Sequence, residues 1–88
     1  MLFDIGRLLA TPSALKHLGE HHTMPIYLIG RHAHGDWGDI HAEDRKLNDQ
    51  AVRNGLRLLS AYEIGGVKVY VITEWDRSYT TVLLASEY

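Results

Sequence analysis

The last third of the chain places the tightest limit on what it can fold into. Leu58 to Ile64, Val67 to Thr73 and Tyr79 to Leu84 are three short, largely apolar runs, the second rich in β-branched residues. Gly65-Gly66 separates the first two, and Glu74-Trp75-Asp76-Arg77-Ser78 separates the second from the third. A glycine pair between apolar runs suits a two-residue hairpin turn, so the pattern predicts an antiparallel meander. On its middle strand Val67, Val69, Val71 and Thr73 share one face, and Lys68, Tyr70, Ile72 and Glu74 share the other. The first face is expected to lie beneath helices. The second is half polar, and an exposed Tyr70/Ile72 patch there is a candidate contact surface. Three strands also leave two open edges, which need cover or invite a partner.

Helix signals fill the region before the meander. Thr11-Pro12 marks a start, with an apolar stripe at Ala14, Leu15 and Leu18 and an end near Gly19 and His21-His22. Leu2, Phe3, Ile5, Leu8 and Leu9 read as a turn of helix beside it or as a loose terminus. Ile26 to Ile29 fits a buried strand or a short helix, and Thr23-Met24-Pro25 tips it toward a helix reaching Arg31 or His32. A longer helix is expected from Ala42 to Asn54, capped by Asp39 or a neighbour, with Ile40, Leu47, Ala51 and Val52 on its buried side. Asn54-Gly55 is its stop. The expected fold is a single α+β domain over residues 1–88, with two or three N-terminal helices packed on one face of a three-stranded antiparallel β-meander.

Composition narrows the function classes. There are no cysteines, which removes disulfides and thiolate metal sites. The formal charge is −2, and Lys16, Lys46 and Lys68 are scattered, with only Arg53 and Arg57 near neighbours. Nucleic-acid binding, which needs basic side chains converging on one face, is disfavoured. No apolar run approaches the ~18 residues of a membrane span, and no leader-like start is evident, so a cytoplasmic protein away from membranes is expected. No cofactor motif occurs, and no cofactor is expected.

Arg31-His32-Ala33-His34-Gly35-Asp36-Trp37-Gly38-Asp39 is the densest cluster of chemistry. His32-x-His34-x-Asp36 has metal-ligand spacing, to which His41 could add. Taken literally it resembles the start of the metallo-β-lactamase motif, with Trp37 where that family has its next His, but that fold needs a far longer chain. His17 and His21, one helical turn apart, are at most an adventitious metal pair. The alternative is a structured loop: the glycines permit positive φ, Asp36 and Asp39 can accept backbone N–H groups, Trp37 inserts into the core, and Arg31 pairs with Asp36 or with the distant turn. A second polar cluster lies at the hairpin tip, with Thr73, Glu74, Asp76, Arg77, Ser78, Thr80 and Thr81. His32, Asp36, Glu74 and Arg77 together contain a base, an acid and an anion-binding group, the set for a small acid–base hydrolase of RNA or a nucleotide. That reading requires His32 to come within reach of Glu74 and Arg77. The plainer reading is turn chemistry, with Asp76 starting a tight turn and Arg77 bridging carboxylates. The tyrosines, Tyr27, Tyr62, Tyr70, Tyr79 and Tyr88, read as core rims or interface groups.

Arg31-His32-x-x-Gly35-Asp36-Trp37-Gly38-Asp39, followed by Glu43-Asp44 and Asn48, resembles a widespread family of small bacterial proteins from plasmids and other mobile elements. The likeness continues through Gly55-x-Arg57-Leu58-Leu59-Ser60-Ala61-Tyr62 and Val71-Ile72-Thr73-Glu74-x-Asp76-Arg77-Ser78-x-Thr80-Thr81-Val82-Leu83-Leu84. Thr11-Pro12-x-Ala14-Leu15 fits its start, so nearly the whole chain is covered. Some members carry the label "plasmid-related protein" or "type I restriction endonuclease subunit M"; nothing in this chain resembles a methyltransferase's cofactor-binding motifs. In the family the position of His34 is not His, which weakens the metal reading, and the segment matching Ile26 to His32 is more helical. This chain departs at Trp75, where a small residue is common, and at its end, Leu84-Ala85-Ser86-Glu87-Tyr88, where the family has a Pro after the paired Leu.

Small size, net acidity, the lack of a cofactor motif and a half-apolar second sheet face point to a non-catalytic protein-binding module. The resemblance implies that it belongs to mobile genetic elements and acts on a host protein of the restriction, CRISPR or other defence systems. An antitoxin-like regulator is a further alternative. Candidate binding residues are Arg31, His32, Asp36, Trp37, Tyr70, Asp76 and Arg77. The expected partner is a host protein or a second copy, the latter through a sheet edge or the outer sheet face.

Overall fold

The computed structural model describes residues 1–88. Its elements are β1 (Arg7–Ala10), α1 (Pro12–Glu20), α2 (Pro25–Ala33), α3 (Ala42–Asn54), β2 (Leu58–Ile64), β3 (Val67–Thr73) and β4 (Tyr79–Leu84), followed by a 3-10 turn at Ala85–Glu87. The fold is α+β, but the sheet has four strands in the order β1-β4-β3-β2. β2, β3 and β4 form the expected antiparallel meander. β1 adds to β4 in parallel, with Arg7 opposite Tyr79 and Ala10 opposite Val82, so the sheet is mixed and the three-stranded expectation is corrected. Arg7-Leu8-Leu9-Ala10 carries no alternation. Its strand conformation comes from main-chain pairing with a segment some seventy positions away, which no local pattern records.

β1 is preceded by Gly6 (φ 63°), where a Cβ would collide with the carbonyl oxygens of Arg77 and Ser78. The terminus can approach the β3–β4 turn closely only because this residue has no side chain. α1 follows directly: Thr11 Oγ1 accepts the Ala14 N–H at 3.1 Å, and Pro12 occupies the first turn. α2 is a helix, as the Pro25 signal predicts, but Met24 stands at its N-cap without a side-chain bond, and Thr23 donates its hydroxyl to His21 O instead. His41 rather than Asp39 precedes α3, again without a side-chain cap. Gly55 closes α3 in the left-handed conformation, as expected.

α1 and α2 cover one face of the sheet. Ala14, Leu18, Leu28 and Ile29 pack with Tyr62, Val69, Val71 and Val82 into the main core. α3 flanks the other end of the sheet. There Ala51 clusters with Phe3, Trp37 and Leu58, and Asn48 is buried. Leu47, expected to be buried, is 61% exposed. On the outer face Ile72 is buried while Tyr70 remains half-buried, its ring edge-on to Tyr88 with centroids 5.7 Å apart. The expected Tyr70/Ile72 patch is therefore reduced to Tyr70. No helix is long and apolar enough to cross a membrane.

Candidate functional site

The Arg31–Asp39 segment is the junction between α2 and the edge of β2. α2 buries Leu28, Ile29, His32 and Ala33, successive positions of one helical face. This turns the His32 ring into the core, where it is fully buried. Its Nδ1 lies 2.6 Å from Ser60 Oγ and its Nε2 lies 2.9 Å from Thr73 Oγ1. Thr73 Oγ1 in turn meets Thr80 Oγ1 at 2.7 Å, and Thr80 donates to the Ile5 carbonyl at 2.6 Å.

Proton counting fixes the direction of this chain. A carbonyl only accepts, so Thr80 donates to Ile5; Thr73 must then donate to Thr80. Thr73's oxygen accepts the Nε2–H of His32, and Ser60 donates to Nδ1. His32 is the neutral Nε2–H tautomer with both nitrogens bonded. Its pKa is lowered to about 4, first by burial and then by the nearby positive charge of Arg77. Phe3 and Trp37 close over it, each edge-on to the imidazole.

Asp36 is held outside this core. Its Oδ2 accepts from Arg31 Nε at 2.7 Å and its Oδ1 from Gly38 N at 3.3 Å. The Arg31 pair, more than the backbone bond, holds this carboxyl below the usual range, and the same pair raises Arg31. The Arg31 guanidinium also lies 4.4 Å above the Tyr62 ring. The Tyr62 hydroxyl donates to Asp36 O at 2.5 Å, and burial pushes its phenol up to about 12.

Trp37 is buried, stacked on Phe3, and donates Nε1–H to Asp49 Oδ1 at 3.1 Å. Ala61 N donates to Trp37 O, and Asp39 N donates to Ala61 O at 2.7 Å, so the segment pairs with the outer edge of β2. Gly38 (φ 74°) is required at this bridge, because a Cβ would strike Ala61 O and the Tyr62 ring. One step along, the Asn48 amide donates to Leu59 O at 2.8 Å and accepts Leu59 N at 3.3 Å. The β2 edge is thus closed at Leu59 and Ala61 by side-chain and loop mimics of a neighbouring strand.

At the hairpin tip Arg77 departs from the expected carboxylate bridging. Its Nη1 donates to Leu56 O at 2.6 Å, Glu74 O at 3.1 Å and Trp75 O at 3.2 Å, and its Nη2 donates to Ala51 O at 2.8 Å. The cation sits at the carbonyl end of α3, where the helix dipole favours it. Arg77 itself adopts φ 61°, a strained value for a non-glycine residue. Asp76 does start the turn, accepting Ser78 N at 3.0 Å. Glu74 lies 3.9 Å from Arg57.

The four residues of the hydrolase reading do not form one acid–base set. His32 is enclosed among hydroxyls and rings, Asp36 faces Arg31, Glu74 faces Arg57, and Arg77 binds carbonyls. The His-x-His-x-Asp trio diverges as well, since His34 Nδ1 turns back to Gly30 O at 2.8 Å. His17 and His21 do stack, 4.6 Å apart, but His17 Nε2 donates to Ile64 O at 2.7 Å.

Thr80 belonged to the polar cluster expected at the hairpin tip, but the sequence assigned no site role to Ser60, Asn48 or Asp49. Alternation offered a signal for one of them: Ser60 and Thr73 fall on the face that carries Leu58, Tyr62, Val69 and Val71, and a polar pair on a buried face needs a polar partner.

An open, concave surface lies elsewhere, on the outer face of the sheet. A groove of about 410 Å³ runs between α3 and the C-terminal turn, floored by Leu59 and Tyr70 and walled by Ile40, Leu47 and Tyr88. Asp44 and Arg57 mark its polar rim, with the Arg57 guanidinium 5.1 Å from the Tyr88 ring centroid. No family model, no curated protein and no solved structure matches the chain.

Proposed function

We propose that the protein is a non-catalytic protein-binding module, and that it docks a partner in the groove between α3 and the C-terminal turn. The observation that carries this reading is the groove itself. Leu47 and Tyr88 are 61% and 63% exposed and face a floor of Leu59 and Tyr70. Exposed apolar and aromatic side chains in a concavity with charges at its rim match the apolar core and polar rim of a protein contact. The polar signature residues support the same reading from the other side, because their donors and acceptors are engaged within the fold. The resemblance to plasmid and mobile-element proteins extends the proposal to a host partner of the anti-restriction or anti-CRISPR kind.

The test is affinity capture from a bacterial host lysate, identification of the retained protein, and reconstitution from purified components. The reconstituted complex should weaken by about tenfold or more with Leu47→Asp, the loss expected when an apolar anchor is replaced by a charge. Loss of every retained protein, or a reconstituted complex indifferent to Leu47→Asp, overturns the docking site.

A further inference from the structure

With β2 covered at Leu59 and Ala61, β1 is the sheet edge with neither a loop nor a side chain paired along it. Arg7 N and Thr11 N donate inward to Ser78 O and Val82 O, both at 3.0 Å. Strand alternation therefore turns the main-chain groups of Leu8 and Ala10 outward. Beside this edge lies an apolar groove of about 280 Å³ lined by Leu8, Leu15, Met24, Ile26 and Ile29. Leu8, Leu15, Met24 and Ile26 are 43%, 49%, 69% and 53% exposed.

We propose that this edge joins two copies of the chain, β1 pairing antiparallel with β1 across a twofold axis so that the two sheets become one. Three observations select a second copy as the occupant. The free edge is self-complementary: setting Leu8 opposite Ala10 of the second copy satisfies both outward pairs twice and places Leu9 opposite Leu9 at the axis. The same register sets Arg7 opposite Thr11 of the second copy, whose hydroxyl donates to Glu87 Oε1 at 2.7 Å. Arg7 and Glu87 form no ion pair within the chain, and this register brings the two opposite charges together twice. Finally, at on the order of 100 Å² for each of the exposed Leu8, Leu9, Leu15, Met24 and Ile26 side chains, the patch and the strand main chain bury roughly 600 Å² per copy, about 1,200 Å² over both copies, above the ~1,000 Å² total expected of a specific interface.

This surface is separate from the α3 groove, so the two readings stand or fall independently. Sedimentation of the full chain across micromolar to submillimolar concentration is expected to show a monomer–dimer equilibrium. Leu9→Cys introduces the chain's only thiol. The Cα atoms of a non-hydrogen-bonded antiparallel pair lie about 4.5 Å apart, within disulfide reach, so this variant should form a covalent dimer under mild oxidation. Leu47→Cys, in the other groove, should not.

Leu9→Lys sets two ammonium groups against each other at the axis and should yield monomer with intact partner capture and, at dilutions where the unaltered chain is also monomeric, an unchanged melting temperature. Arg7→Glu should weaken the dimer by about tenfold, and adding Glu87→Arg should restore it. A monomer at every concentration, or a dimer that Leu9→Cys fails to crosslink and Leu9→Lys fails to dissociate, overturns the proposal.

Discussion

Acidification should destabilise this protein through His32 well before its carboxylates titrate. In the unfolded chain an imidazole takes up a proton near pH 6.5, whereas the folded protein holds His32 neutral down to about 4. Between these values the unfolded state binds more protons, so stability falls as pH falls, and the loss is complete below the folded value. At about 1.4 kcal/mol per pH unit, the interval amounts to roughly 3 kcal/mol, about 2 kcal/mol of it gone by pH 5. That is a large share of the 5–15 kcal/mol typical of a small domain.

The cause is burial first, in a pocket walled by Phe3 and Trp37, and the nearby positive charge of Arg77 second. A proton at Nδ1 would also require the Ser60 hydroxyl to turn from donor to acceptor. Urea unfolding followed by circular dichroism at pH 7.5, 6, 5 and 4.5 measures the slope. The same series on His32→Gln, which lacks the titrating ring, subtracts every other group. The difference curve should descend from pH 6.5 toward 4. A flat difference curve, or one that rises on acidification, refutes the locked neutral imidazole.

Other substitutions test the remaining links. Arg77→Met removes a charged donor from four carbonyls and should cost about 2–3 kcal/mol in denaturant unfolding, with the end of α3 losing amide-exchange protection first. Asn48→Ala unpairs Leu59 on the β2 edge. It should cost about 1–3 kcal/mol and raise the light-scattering aggregation rate. Gly38→Ala drives a methyl into Ala61 O and the Tyr62 ring and should cost about 3 kcal/mol by thermal melting. Tyr62→Phe deletes a single bond to Asp36 O and should cost only about 1 kcal/mol.

The parts of the fold written in local pattern were legible before the structure. Gly65-Gly66 set the β2–β3 register, Thr11-Pro12 the start of α1, and Gly55 the end of α3. β1 was not, because four residues without alternation become a strand only by pairing with β4. Leu47 was misassigned because α3 lies at the sheet's end, where a helical stripe can face a groove instead of a core. In the signature segment the Arg31–Asp36 pair and the insertion of Trp37 followed from residue chemistry. The partners of His32 and Arg77 did not, since Ser60, Thr73 and Ala51 are brought to them by tertiary packing. A base, an acid and a guanidinium spaced like an active site can equally be a core tautomer, a surface ion pair and a helix cap.

The central claim is that contact is made through the α3 groove while the signature residues maintain the fold. Amide chemical-shift mapping of the labelled protein against its captured partner tests this most directly. The largest perturbations are expected at Ile40, Leu47, Leu59, Tyr70 and Tyr88. Perturbations centred instead on Arg31 to Asp36 and Glu74 to Ser78, with the groove unaffected, would contradict it.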